Sequence, residues 1–390
     1  MNNVIAQTNN LTQLHHHASE SGLAKCRTLS DVIDEVNNAR KGKWDSTLNA
    51  SELIVDQSLC LPDGIRLTDN AVRSLARLTD VPSTVASWCI ERGYESHVAA
   101  YVGDRLREIA REDQRTSRPP TRYFARFGCA ESGETQCRAL FTGQYGVLDN
   151  HDALSLATRA FESAELSDVV ARRTFHNGDD LSVSLLIPDY AVTLPDSDYG
   201  VGIEIGNSEV DGPFTVSGFI YRAMCGNGML LGLREGAEYS RRHVGRIDFD
   251  EVLVGVKLAV HDALSLGRES IKTHAEAWNV RIRNPKRLIA HLGKRSRLSR
   301  EQTSAWMNGY EATIKEPRSP EGTLGAVLNG LTFAAKSVAP WERRAMETEA
   351  GRLIAPSIGL ALVDLERRWA DLEERAREIK SEEVERIAAL

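Results

Sequence analysis

Apolar residues after Thr68-Asp69 recur at Val72, Leu75, Ala76 and Leu78, the spacing of one helical face, with Thr68 or Asp69 as the cap. Val81-Pro82-Ser83 breaks that helix, and Val85 to Cys89 opens another that leads toward Leu106 and Ile109. Beyond Arg118-Pro119-Pro120 the period changes, and Tyr123 to Phe127 with Cys137 to Phe141 read as the strands of a hairpin. His151 to Ser163 returns to helical spacing, with Leu154, Leu156, Ala157, Ala160 and Phe161 on its apolar face. Four strand-like runs follow: Val169 to Phe175, Leu181 to Ile187, Ala191 to Leu194 and Val201 to Ile205, with His176-Asn177-Gly178-Asp179 as the first turn. They predict an antiparallel meander, to which Phe214 to Val216 adds a short strand. Phe219 to Leu230 reads as a helix crossing that sheet, although Gly226 and Gly228 are costly in a helix interior. Asp250 to Leu266 and Trp278 to Trp306 are helical, and Val327 to Ala335 is apolar. Leu360 to Leu390 forms a charged helix with Leu365, Trp369, Leu372, Ala376, Ile379 and Ile387 near one stripe.

These runs predict an α+β fold: an antiparallel β-meander packed with helices, a helical N-terminal portion and a long C-terminal helix. The expected divisions are a disordered arm over 1–26, the helical portion at 54–118, the sheet core at 119–249, a helical basic region at 250–360 and the amphipathic helix at 361–390. The arm is too rich in Asn, Gln, Thr, Ser and His to order itself.

Composition narrows the function classes. The net charge of -7 excludes a uniformly basic coat, so any polyanion contact has to come from local segregation of charge. Cys26, Cys60, Cys89, Cys129, Cys137 and Cys225 contain no Cys-x-x-Cys pair, which argues against a zinc ribbon or a redox dithiol and fits reduced thiols in a cytoplasmic protein. No signal-peptide pattern opens the chain and no run of about 18 apolar residues is present, so no membrane partner is expected.

The segregation is found at Arg281, Arg283, Lys286, Arg287, Lys294, Arg295, Arg297 and Arg300, a stretch with no acid between its ends. Cations in such a run neutralise phosphates and release counterions, which gives sequence-independent affinity for nucleic acid. Arg105, Arg107, Arg111, Arg115, Arg118, Arg122 and Arg126 form a second run, beside Tyr123, Phe124 and Phe127 as candidate base-stacking rings. Arg241, Arg242, His243 and Arg246 form a third group, read as phosphate contacts; the competing reading makes His243 a neutral general base. Arg222 is a further phosphate candidate and Tyr221 a further stacking one.

Asn207-Ser208-Glu209 and the exit Tyr221-Arg222…Cys225-Gly226-Asn227-Gly228 resemble the phage/plasmid-like family of uncharacterised mobile-element proteins. Leu67 to Ala71, Arg241 to Arg246 and Leu324 to Thr332 are similar to that family as well, with Gly226 and Gly330 departing from its pattern. The resemblance implies a mobile-element setting and no particular chemistry. A helix followed by a meander, with Leu156-Ala157-Thr158-Arg159-Ala160-Phe161 before the first strand and Tyr199-Gly200-Val201 in the third, also resembles the core of single-strand annealing recombinases. That resemblance implies a homo-oligomer that binds single-stranded DNA and anneals strands without a nucleotide.

Catalytic alternatives are thinner. Asp189 and Glu204 echo a metal-dependent nuclease, but Gly206 stands where the lysine belongs. Glu209 and His243 complete the metal-dependent alternative. Cys225 with Asn227 lacks a cysteine-protease signature, and neither a phosphate loop nor a dinucleotide fingerprint is present, so no cofactor and no resident metal are expected. Asn207, Ser208 and Glu209 either offer oxygen atoms to a ligand or satisfy backbone donors locally. A protein-binding counter-defence or regulatory factor, using the C-terminal helix, is the remaining alternative.

Overall fold

A computed structural model describes residues 27–116, 119–130, 132–166, 168–194, 197–222, 227–230, 238–316, 319–338, 340–353 and scattered positions between 362 and 375. The expected arm at 1–26 lies outside them. So do Cys225 and, of the C-terminal stripe, Leu372, Ala376, Ile379 and Ile387.

The chain is α+β. It opens with β1 (Arg27–Thr28) and α1 (Leu29–Arg40). A first unit comprises β2 (Trp44–Asn49), β3 (Cys60–Leu61), β4 (Ile65–Leu67), α2 (Asp69–Leu78), α3 (Ser83–Glu91), α4 (Glu95–Thr116), β5 (Arg122–Cys129) and β6 (Thr135–Thr142). Its strands lie in the order β2-β5-β6-β4-β3, antiparallel except where β4 runs parallel to β6. The helix pattern at 68–78 is realised, with the Thr68 side chain accepting from the Ala71 N–H at the cap.

The second unit begins with α5 (Asn150–Ser163), β7 (Val170–His176), β8 (Asp180–Leu194), β9 (Ser197–Ser208) and β10 (Phe214–Arg222). It continues with β11 (Asn227–Leu230), β12 (Glu238–Arg241) and α6 (Phe249–Ala277). Its sheet runs β1-β7-β8-β9-β10-β11, and β12 shares with β11 the same edge of β10. Leu181, Val183, Leu185 and Ile187 of β8 alternate with Ser182, Ser184 and Leu186, and with Val201, Ile203 and Ile205 of β9 they form the face that α5 and α6 cover. The helices α7 (Pro285–Arg295), α8 (Arg300–Thr313), α9 (Leu324–Ala334) and α10 (Pro340–Leu353) extend this unit.

Three expectations are corrected. The N-terminal portion is not simply helical: α2, α3 and α4 share a core with a five-stranded sheet, and the 122–142 hairpin belongs to that core rather than to the meander. Leu181 to Ile187 and Ala191 to Leu194 are one strand, interrupted by an irregularity between Ile187 and Val192. Phe219 to Leu230 is not a helix but the end of β10 and the whole of β11, paired antiparallel from Phe219↔Leu230 to Arg222↔Asn227. Phe219, Ile220 and Tyr221 are all buried, so both faces of β10 are covered and its apolar run carries no alternation to distinguish it from a buried helix.

Gly330 of α9 sits at a close crossing with α8. A Cβ there would sit 2.6 Å from the Tyr310 backbone nitrogen, and a Cβ on the facing Gly309 would sit 2.2 Å from the Gly330 carbonyl oxygen. The two helices cross on bare backbone. Gly330→Ala is therefore expected to destabilise by about 1–3 kcal/mol, because overpacking outweighs alanine's better helix propensity. The midpoint of urea unfolding checks this.

Candidate nucleic-acid interface

The two hydrophobic cores do not merge. Between them lies a buried ionic junction, centred on the segment singled out at Asn207-Ser208-Glu209. Glu209 directly follows β9 and is 3% exposed. One of its carboxylate oxygens accepts from Lys43 Nζ at 2.8 Å and Arg138 Nη2 at 2.5 Å; the other accepts from the Asn150 N–H at 3.0 Å, at the start of α5. An anion at a helix N-terminus beside two cations is electrostatically well matched. The Glu209 carbonyl accepts from Arg126 Nη1 at 3.1 Å and from the Tyr145 hydroxyl at 2.8 Å.

The remaining charges complete the ring. Arg126 of β5 is 2% exposed and pairs with Asp45 at 3.0 Å and with Asp149. Arg138 of β6 also donates from Nε to Asp179 at 2.6 Å. The first unit thus supplies the cations, and the second unit supplies Asp149, Asp179 and Glu209. Burial pushes the Glu209 carboxyl up, but Lys43 and Arg138 outweigh it and hold the group below the ordinary carboxylate range. At Lys43 burial, helped by the Arg138 charge, outweighs Glu209 and lowers the ammonium's pKa.

Asn207 is equally committed. Its Nδ2 donates to the Leu148 carbonyl at 3.2 Å and to Asn150 Oδ1 at 2.9 Å, and Ser208 Oγ accepts from the Asp211 N–H at 3.1 Å. The motif acts here as a joint, the structural one of the two readings. The place of Lys43, Asp45, Arg138, Asp149 and Asp179 in the junction was not legible in the sequence; their partners lie up to 166 positions away.

The phosphate and stacking assignments divide by burial. Tyr123 and Tyr221 are 3% and 2% exposed, which corrects their reading as stacking platforms; the Arg172 guanidinium already covers the Tyr221 ring at 4.2 Å. Phe124 is half-buried and stacked on Tyr145 at 5.5 Å. Arg222 is 3% exposed, paired with Glu316 at 3.5 Å and held over the Trp278 ring at 4.4 Å, so it does not present itself to a phosphate. His243 is also buried: Nδ1 lies 3.2 Å from the Gly146 carbonyl and Nε2 3.2 Å from Asn207 Oδ1. Burial, ahead of all other causes, lowers its pKa. The ring serves the joint, which corrects its reading as a phosphate contact. Arg241 is half-buried and donates to the Arg246 carbonyl at 3.2 Å, whereas Arg242 and Arg246 are exposed. The backbone of Asn227 lies in β11, opposite Arg222.

The second basic run dissolves into pairs only in part. Arg105 binds Asp80 at 3.0 Å and also Glu108, Arg107 binds Asp104 at 2.5 Å and Arg126 is in the junction, whereas Arg111, Arg115 and Arg122 are exposed with no carboxylate partner among the described residues, and Arg118 lies outside those residues. The metal-dependent alternative loses its geometry. Glu204 accepts from Ser182 at 2.8 Å and from Ser184 and lies 3.5 Å from Arg173, while Asp189 sits in the irregular part of β8, five residues past Ser184, which faces Glu204. Among the described residues no group of three potential ligands could hold a metal ion.

The run at 281–300 keeps its exposure throughout. Arg281, Arg283, Lys286, Arg287, Lys294, Arg295, Arg297 and Arg300 all face solvent, on α7 and the turns at its two ends. Leu288, Ile289 and Leu292 bury the opposite face, so amphipathicity orients the cations outward. Lys286 pairs with Glu311 at 2.7 Å, Arg281 donates to the Glu321 carbonyl at 3.0 Å, and Arg287 lies over the Trp369 ring at 4.5 Å. Among the described residues no carboxylate pairs with Lys294, Arg295, Arg297 or Arg300. The nearby Glu349 is occupied by Ser296 and Arg352.

A cleft of about 520 Å³ opens beside the junction, where the end of α2, the turn after β6, the 208–213 turn and Arg242-His243-Val244 meet. Arg77 and Asp211 face each other there at 3.0 Å, each half exposed.

No family model, no curated protein and no solved structure matches this chain. Among the described residues no helix is long and apolar enough to cross a membrane.

Proposed function

We propose that this protein binds nucleic acid through the exposed cationic face of α7 and the turn into α8, in the mobile-element setting that its motifs resemble. The observation that carries the reading is the acid-free run at 281–300, whose eight cations all face solvent in a chain of net charge -7. Four of them lack a carboxylate partner among the described residues, and unneutralised, closely spaced cations are what a phosphate backbone relieves.

The meander β7-β8-β9-β10, with α5 before it and α6 after it on one face, supports the finer reading of a single-strand annealing protein that forms homo-oligomers and consumes no nucleotide. The burial of Tyr123 and Tyr221 shifts the expected contacts from base stacking to phosphates. Fluorescence anisotropy of labelled single- and double-stranded oligonucleotides across a salt series tests the proposal. Affinity that falls linearly in log–log form with salt is the expected result, with a slope set by the number of phosphates contacted. Absence of binding at low salt would refute it.

A further inference from the structure

The cleft beside the ionic junction has a ligand-sized volume, about 520 Å³, within the usual range for small-molecule sites. Its lining is divided in a way that selects a ligand class. Phe141, Pro213 and Val244 give an apolar wall, with one face of the Phe141 ring stacked on Tyr145 at 3.9 Å and so fixed in orientation. At the mouth stand two guanidinium groups, Arg77 and Arg242, and one carboxylate, Asp211. Arg242 is exposed and, among the described residues, has no ion-pair partner; Arg77 shares Asp211 at 3.0 Å across the gap.

We infer that this cleft binds a nucleoside 5′-phosphate unit, with the base against the Phe141, Pro213 and Val244 wall, the phosphate on Arg242 and Arg77, and ribose hydroxyls donating to Asp211. Each feature removes a competitor. A purely apolar ligand gives the Arg242 guanidinium no partner, and a neutral sugar gives it no anion, since Asp211 is already shared with Arg77. A lone inorganic phosphate leaves the apolar wall unfilled. The base, sugar and phosphate of one nucleotide match all three. The chemistry is shared by a free nucleotide and by the phosphorylated 5′ end of a strand. The inference stands apart from the α7 surface, since a free nucleotide has no extended backbone for α7 to follow.

Isothermal titration calorimetry of the full chain with adenosine and cytidine 5′-monophosphates is the test, with ribose 5-phosphate as the baseless control. One saturable site is expected with a dissociation constant on the order of 1 mM or tighter. Arg242→Ala should weaken it by roughly tenfold or more, and Val244→Trp, which fills the slot from an exposed position, should abolish it. Thermal melting verifies that each variant is folded, and Arg242→Ala alone suffices if Val244→Trp is not. Anisotropy with 5′-phosphorylated and 5′-hydroxyl oligonucleotides then separates the sources. Tighter binding of the phosphorylated strand, lost in the variants, assigns a strand end, whereas equal binding of both strands assigns the free nucleotide. Absence of nucleotide heat, equal affinity for ribose 5-phosphate, or unchanged affinity in the folded variants overturns the inference.

Discussion

Replacing Glu209 with alanine is expected to lower stability by about 3–5 kcal/mol, the cost of breaking a buried ion pair from one side. The substitution leaves Lys43 and Arg138 facing each other in the junction and strands the Asn150 N–H at the start of α5. The two hydrophobic cores lie on either side, so little apolar contact compensates. Urea unfolding should show the loss, together with a tendency for the two units to unfold separately. Glu209→Gln keeps an oxygen for the α5 terminus and removes only the charge, so a smaller loss is expected. If both substitutions cost less than about 1 kcal/mol, the pairs behave like exposed ones and the junction does not hold the units together.

The same residue fixes the sign of one pH effect. The folded-state pKa of Glu209 is depressed below its ordinary value of 4.5. Its contribution is therefore fully present above the unfolded value and is lost as pH falls through the lower folded value. The stability difference between the native chain and Glu209→Gln should be constant near neutrality and shrink as the solution is acidified below about pH 4.5. Asp45 and Asp152 act in the opposite sense, because burial raises both, but they are present in both proteins and largely cancel in the difference.

Local periodicity made much of the α+β architecture legible. The helix after Thr68 buries one face, which writes a period into the sequence, and the 122–142 hairpin and the strands from Val170 to Ser208 are marked by apolar runs between turn residues. Two kinds of element escaped. β10 is covered on both faces and so lost its alternation, and β2 is an edge strand whose residues are half or fully exposed, without an apolar face to mark it. The site divided along similar lines. The outward placement of the α7 cations followed from the apolar positions between them, whereas the fates of Arg222, Tyr123 and Tyr221 depended on partners contributed by distant elements. An arginine destined for a buried pair with a carboxylate reads in sequence like one destined for a phosphate. Asn207-Ser208-Glu209 lies at the centre of the junction, and its partners Lys43, Arg126 and Arg138 are distributed over three separate strands and turns.

The largest effect on ligand binding should follow from changing Lys294, Arg295, Arg297 and Arg300 together to alanine. All four are exposed and without carboxylate partners among the described residues, so their loss removes no ion pair seen there. Lys294 and Arg295 do complement the C-terminal end of the α7 dipole, a contribution of roughly 0.3–1 kcal/mol each that a thermal melt would register as a small shift. If all four reach phosphates of a single strand, the slope of log affinity against log salt should fall by about 3, at about 0.7 per contact. The corresponding loss of affinity at low salt is on the order of 10⁴-fold, since each of the four charge-assisted contacts carries about 1.5 kcal/mol. Uniform weakening across oligonucleotide sequences is expected as well, because phosphates carry no base identity. Lys286→Ala is the informative contrast: its ammonium is already paired with Glu311 at 2.7 Å, so it should change the slope by much less than one of the unpaired cations does. A folded quadruple variant that retained the native slope would mean that α7 presents a solvated face and that any strand runs elsewhere on the molecule.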